Sequence, residues 1–177
     1  MERPRRRGLP LLLAGLLLAR AAQAGDGPVD MPSGVRFVGA RSRSFEWWVS
    51  QAVAEALRRL SDPRCQQLFS DFRDSSGRTL QSRLDEMGMT AQSYLRSLLV
   101  LDGDRGAFCQ SSGVLAGTRR GGQVIVLCGG RFGRAQFRDP ALGAAVILHE
   151  ELHSLGLGEN PPSTLEISER VLSRCAR

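Results

Sequence analysis

Two histidines and one glutamate are the residues of this chain best spaced to do chemistry together. The chain has 177 residues and only two histidines, His149 and His153, in the pattern His-Glu-x-x-His. On an α-helix, residues four positions apart lie one turn apart on the same face, so both imidazoles could bind one Zn²⁺ at about 2.0–2.1 Å. Glu150 would be turned by about 100° from His149, which places it beside the metal. The spacing therefore predicts a zinc site with Glu150 as general base for a water molecule.

The helix that must carry this motif is predicted over residues 141–155. The residues that flank the motif are apolar, as a buried helix requires. Gly156 and Gly158 end the helix, and residues 160–162 (Asn-Pro-Pro) prevent its continuation. A last helix is predicted over about residues 163–175. The C-terminal part of the chain is thus expected to form a pair of helices that bears the metal.

Upstream segments predict a small α+β domain that is mainly helical. Apolar residues recur at three- and four-residue steps over residues 44–60, which predicts a helix. Thr90 can cap another helix, which continues to the turn at residues 102–104. Residues 114–118 and 123–128 are predicted strands around an Arg-Arg-Gly-Gly turn, so we expect a short β-hairpin or a small sheet.

The first 24 residues have the features of a secretory signal peptide. Four arginines near the N-terminus precede a leucine-rich run, and residues 22–24 form an Ala-x-Ala cleavage site. The run is too short to span a bilayer comfortably, so we expect export without a retained membrane anchor. Residues 25–42 are rich in Gly, Pro, Ser and Arg and predict a flexible lead-in to a folded domain over residues 43–177.

Removal of the signal peptide would take away most of the positive charge. The whole chain carries +6, from 24 arginines and no lysine against 18 acidic residues. Cleavage after Ala24 leaves 19 arginines and 17 acidic residues, a net charge of +2. A charge this small does not favour nucleic acid as a partner. We therefore expect no nucleic-acid partner. We also expect a monomer.

All four cysteines follow the cleavage site, which is typical of a protein of the periplasm or the cell exterior. Four cysteines allow three sets of pairs. We expect Cys109–Cys128, which would close one loop, and Cys65–Cys175, which would tie the C-terminal helix to the front half of the domain. The sequence has no Cys-x-x-Cys pair, so a cysteine-based zinc site is not favoured.

The segment from His149 to Gly156 resembles the zincin metallopeptidases. Their longer pattern has an apolar residue three positions before the first histidine, here Val146, and another two positions after the second histidine, here Leu155. Glu151 stands where that pattern has an uncharged residue. The resemblance implies a zincin-like domain in which both histidines bind zinc. Over the rest of its length the chain is similar to small secreted bacterial proteins.

The third zinc ligand is expected to be a carboxylate, or less readily a cysteine, because the chain has no third histidine. The segment is similar to the metzincin pattern, in which a glycine turns the chain and a ligand follows six residues after the second histidine, here Glu159. The gluzincins take a glutamate from a later helix, which implies Glu166 here, with Glu169 as a more remote candidate. Glu166 could also form a capping box with Ser163. Glu159 and Glu166 stay open as alternatives.

The resemblance implies an exported zinc-dependent metallopeptidase that hydrolyses peptide bonds with metal-activated water. Glu150 would take a proton from the water and pass it to the leaving amine. The predicted strand at residues 123–128 could be the edge on which an extended peptide docks. Two alternatives stay open. The chain could be a non-catalytic secreted binding protein cross-linked by disulfides, or an inactive zincin relative that binds zinc.

Overall fold

The computed structural model describes residues 29–30, 34, 36–39 and 42–175 of the chain. The predicted signal peptide, residues 1–24, lies outside the described residues. Within the described ranges, no helix is both long enough and apolar enough to cross a membrane.

Helices make up most of the described chain, and polar side chains begin several of them. Ser42 Oγ accepts a hydrogen bond from the amide of Phe45 (3.1 Å), and Thr90 forms a capping box with Ser93. The predicted helices over residues 44–60 and at the C-terminus are confirmed. Among the described residues the α-helices are α1 (Arg43–Arg59), α2 (Pro63–Gln66), α3 (Leu68–Asp71), α4 (Leu80–Glu86), α5 (Ala91–Ser97), α6 (Gly129–Arg138), α7 (Pro140–Ser154) and α8 (Thr164–Cys175).

One mixed sheet accompanies the helices. Its five strands in the described part of the chain are β1 (Val29–Asp30), β2 (Arg36–Val38), β3 (Leu99–Asp102), β4 (Ala116–Thr118) and β5 (Val124–Leu127). They lie in the order β1-β2-β3-β5-β4, with β2, β3 and β5 parallel and the two outer strands antiparallel to their neighbours. The predicted hairpin is confirmed, since β4 pairs with β5 and Gly117 lies opposite Val126. The expectation of a small, mainly helical α+β domain is confirmed as well.

Helix α7 lies at the centre of the fold. It begins at Pro140, after Asp139, whose carboxylate accepts a hydrogen bond from the amide of Ala141 (2.9 Å). It packs against α1, α6 and α8 and against strands β4 and β5. Because partners surround it, its residues from Gly143 to Ser154 are buried on nearly every side, except Val146. The His-Glu-x-x-His motif therefore sits on a rigid, buried element.

The structure contains both predicted disulfides. Cys65 in α2 is bonded to Cys175 at the end of α8, and Cys109 is bonded to Cys128 at the start of α6. The first links parts of the chain 110 residues apart, and it holds α8 against the front half of the domain. Both disulfides indicate folding in an oxidising compartment.

Three segments differ from the sequence-based expectations. The helix that begins after Thr90 ends at Ser97, and Leu99–Asp102 form the central strand β3 instead of its continuation. Arg36–Val38, inside the expected lead-in, form strand β2, in which Phe37 is buried. Gly129 and Gly130, which follow the hairpin, begin helix α6, for which the sequence-based expectations contain no helix. In the first two cases, pairing with distant strands supplies backbone hydrogen bonds that local periodicity does not reveal.

Candidate metal centre

The two histidines present their Nε2 atoms to one point in space. They lie one turn apart on α7, their ring centroids are 4.8 Å apart, and their Nε2 atoms are 3.0 Å apart. Both residues are 8% exposed, and both line the same cleft. This is the arrangement that the four-residue spacing predicts.

Glu159 joins the histidine pair because of the way α7 ends. Leu157 N–H donates to Leu152 C=O (3.1 Å), and Gly156 N–H donates to His153 C=O (3.0 Å), which is a Schellman motif. Gly156 takes a φ of 112°, a left-handed conformation that glycine adopts without steric cost. The chain therefore reverses, and Glu159 Oε1 comes within 3.2 Å of His153 Nε2.

The distance from Glu159 Oε1 to the Nε2 atom of His149 is 3.8 Å, and all three ligand atoms lie within 4.8 Å of one another. Glu166, the alternative third ligand, lies outside this group. Its Oε2 atom accepts hydrogen bonds from the amide and the hydroxyl of Ser163, both at 2.7 Å, in the expected capping box. The geometry therefore favours Glu159.

The chemistry of these donor atoms fits a cation. His153 Nδ1 lies 2.9 Å from Leu157 C=O, which can only accept, so Nδ1 carries the proton and Nε2 presents a lone pair. Burial, and then the neighbouring His153, lower the pKa of His149 to about 4, so this imidazole is neutral near pH 7. Two imidazole nitrogens and a carboxyl oxygen that converge on one point have electron pairs to share with a metal ion. The group of His149, His153 and Glu159 could thus hold one.

Each histidine is also oriented by a second partner on its Nδ1 atom. Ser168 Oγ in α8 lies 3.1 Å from Nδ1 of His149, and the Leu157 carbonyl fills the same role for His153. Such outer contacts fix ring orientation and tautomer in metal sites. Sequence reasoning did not identify either partner. Ser168 carries no signal in the sequence beyond its place on the predicted last helix.

Glu150 is 5% exposed and lines the same cleft as the histidines. Burial raises the pKa of Glu150, and the nearby His153 opposes the rise. The hydroxyl of Thr118 in β4 lies near this carboxyl group and also lowers its pKa. A buried carboxyl group with a raised pKa is suited to exchange protons with a water or a substrate in the cleft.

Glu151 does not belong to the cleft. It is 0% exposed, and neither carboxylate oxygen has a hydrogen-bond partner among the described residues. Burial raises the pKa of Glu151 well above its ordinary value, which favours the neutral acid. The position that is uncharged in the zincin pattern thus holds a carboxyl group whose surroundings oppose its charge.

The cleft around the donor atoms has a volume of about 910 Å³. Helix α7 and the loop with Glu159 form one side, and strand β4 with the hairpin turn forms another. The expectation that residues 123–128 provide a free strand edge is wrong, because β5 pairs with β3 on one side and with β4 on the other. Strand β4 is the outer strand, and it is the one that lines the cleft.

No family model matches this chain, and no curated protein and no solved structure matches it. The resemblance to the zincins therefore rests on the sequence pattern that begins at residue 146 and includes Glu159.

Proposed function

We propose that this chain is an exported zinc-dependent metallopeptidase that acts as a monomer on peptides or proteins. The observation that carries the proposal is the convergence of His149, His153 and Glu159 in a cleft that also contains the buried carboxyl of Glu150. Metal-assisted hydrolysis of an amide needs ligands for the metal ion and a neighbouring group that transfers protons. This cleft contains candidates for both.

Zinc is the metal that we infer for the site. Two imidazoles and one carboxylate are a ligand set that catalytic zinc sites use, with a fourth position left open. Ligands at zinc distances in a tetrahedron are separated by roughly 3.3 Å. The three separations here, 3.0, 3.2 and 3.8 Å, are close to that value.

Glu150 would move the protons of the reaction. When bound, zinc supplies a Lewis acid that activates water and polarises a carbonyl. Glu150, as carboxylate, accepts a proton from the attacking water while the water oxygen bonds to the carbonyl carbon. It then delivers that proton to the amine nitrogen as the carbon–nitrogen bond breaks. The raised pKa of Glu150 makes both steps accessible near neutral pH, because neither the acid nor the carboxylate form is strongly disfavoured.

Export to the periplasm or the exterior is part of the proposal. It is supported by the two disulfides and by the signal-like sequence of residues 1–24. Strand β4 lines the cleft and is the outer strand of the sheet in the described part of the chain, so an extended peptide could bind along its backbone edge.

The decisive experiment compares metal content and hydrolysis in matched variants of the exported protein. We expect about one zinc per chain in the wild type and its loss in His153→Ala. Glu150→Gln should keep the zinc and lower kcat/KM by about 10²- to 10⁴-fold on a pool of short blocked peptides read by mass spectrometry. Glu166→Gln is the matched control, since Glu166 bonds only within its own helix cap, and it should keep both properties.

The outcomes separate the alternatives. A metal-free wild type would remove the zinc site and leave a non-catalytic binding protein. Zinc without hydrolysis of any peptide would indicate an inactive relative. Full hydrolysis by Glu150→Gln would show that another group moves the protons.

A further inference from the structure

The turn of the β4–β5 hairpin is fastened directly to the end of the metal-bearing helix. Gly121 N–H donates to the carbonyl of His153 (3.0 Å), and Gly121 takes a φ of 70°. Within the turn, Gly122 N–H donates to the carbonyl of Arg119 (2.6 Å). These bonds give the backbone of the turn a fixed position relative to His153, so its side chains extend from a defined place beside the candidate metal ligands.

That turn carries two arginines, Arg119 and Arg120, and both line the cleft. The guanidinium of Arg120 lies on Gly158, next to Glu159: a Cβ at position 158 would come within 2.8 Å of Arg120 Nη2. The absence of a side chain at Gly158 thus makes room for a cation beside the loop that supplies the third ligand.

Within the described ranges, neither guanidinium forms a hydrogen bond or an ion pair, although both side chains line the cleft that contains Glu159. Both arginines are exposed, so their donors are open to a ligand. Glu159 instead directs Oε1 to the two histidines. The cleft therefore contains up to ten N–H donors, five on each arginine, together with His149, His153 and Glu159.

Resting on the proposed function, we propose that Arg119 and Arg120 bind a carboxylate of the substrate, so that the cleft selects peptides that carry a negative charge near the bond to be cleaved. The planar guanidinium fork binds a carboxylate through two parallel hydrogen bonds. Two sources of this group exist. A free C-terminal carboxylate would make the protein trim peptides close to their ends, and an Asp or Glu side chain would make it cleave next to acidic residues.

Binding to zinc-loaded Glu150→Gln tests this inference without turnover. The probes are four matched pools of short N-acetylated peptides: free acid or amide at the C-terminus, each with Glu or with Gln at an internal position. We expect one of the two carboxylate sources to bind about ten- to a hundredfold more tightly than its neutral counterpart. Adding Arg120→Gln, or Arg119→Gln with Arg120→Gln, to that protein should abolish the preference.

Arg134→Gln is the matched control, because Arg134 lies in a separate pocket on α6 that does not share residues with the metal cleft. It should leave the preference unchanged. Equal binding of all four pools, or a preference that survives loss of both arginines, would overturn the inference. Neither of these results depends on hydrolysis. Conversely, the wild type could prove metal-free or inactive and still bind carboxylate probes more tightly than neutral ones. That result would refute the proposed peptidase activity and support the carboxylate-binding site.

Discussion

Replacement of Glu151 by methionine should stabilise the protein. The carboxyl group of Glu151 is 0% exposed and has no hydrogen-bond partner among the described residues. Burial of an unpaired polar group costs about 1–3 kcal/mol by protein mutational data. Methionine has a similar unbranched shape and fills irregular space easily, so little new strain is expected. We therefore expect Glu151→Met to raise the free energy of unfolding by about 1–3 kcal/mol.

The stability should also depend on pH in a defined direction. Burial raises the pKa of Glu151 in the folded protein above the ordinary value of about 4.5 that it regains on unfolding. Above that ordinary pKa, the folded state keeps a proton that the unfolded state has lost. The contribution of Glu151 to stability is thus fully present below the ordinary pKa, and it falls as the pH rises toward the folded pKa. Glu151→Gln cannot ionise and should lack this fall.

Urea unfolding at several pH values, in the presence of a chelator, measures both effects. The chelator removes any stabilisation by metal, which would otherwise change with pH. Glu150 adds a slope of the same sign, because burial raises its pKa too, and Glu150→Gln measures that part separately. The exposed Glu169→Gln is the surface control. A less stable Glu151→Met, or the same pH slope in the wild type and Glu151→Gln, would refute the reasoning.

The outer contacts and the disulfides give two further predictions. Ser168→Ala removes the partner of His149 Nδ1, so the Kd for zinc should rise about 10- to 100-fold. Competition with a chelating dye measures this Kd. An unchanged Kd would mean that α8 does not orient this ring. Removal of the Cys65–Cys175 bond should lower the free energy of unfolding, measured in urea, by about 1.5 kcal/mol more than removal of Cys109–Cys128. The reason is that it closes a longer loop, with a sequence separation of 110 residues against 19. Equal losses would contradict this explanation from loop entropy.

The part of the site that the sequence predicts is the part fixed by local geometry. His149 and His153 share a helix face because of the helical repeat alone, and Ser163 and Glu166 form a cap because of their spacing. Glu159 could not be selected in this way. Its approach to the histidines depends on the left-handed Gly156 and on the reversal that follows it.

The errors in the fold have a similar origin. The apolar run that ends in Leu99–Asp102 is compatible with either a helix or a strand, and the choice is made by pairing with β5, which is distant in sequence. Helix α6 contains glycines that disfavour helix formation in isolation. A Cβ at Gly133 would come within 3.0 Å of Trp48 in α1, so this glycine permits close packing of the two helices. That packing is a tertiary effect that the local sequence does not reveal.

The outer strand of the sheet has consequences for solubility as well as for binding. An unpaired strand edge is a template for fibril growth and for association between copies of one protein. Here β4 is only three residues long, it lies inside a concave cleft, and two positively charged side chains follow it. The ring of Phe108 also covers Gly117 at its middle. We therefore expect this recess to disfavour pairing with a flat sheet of a neighbouring molecule and to admit a single extended chain.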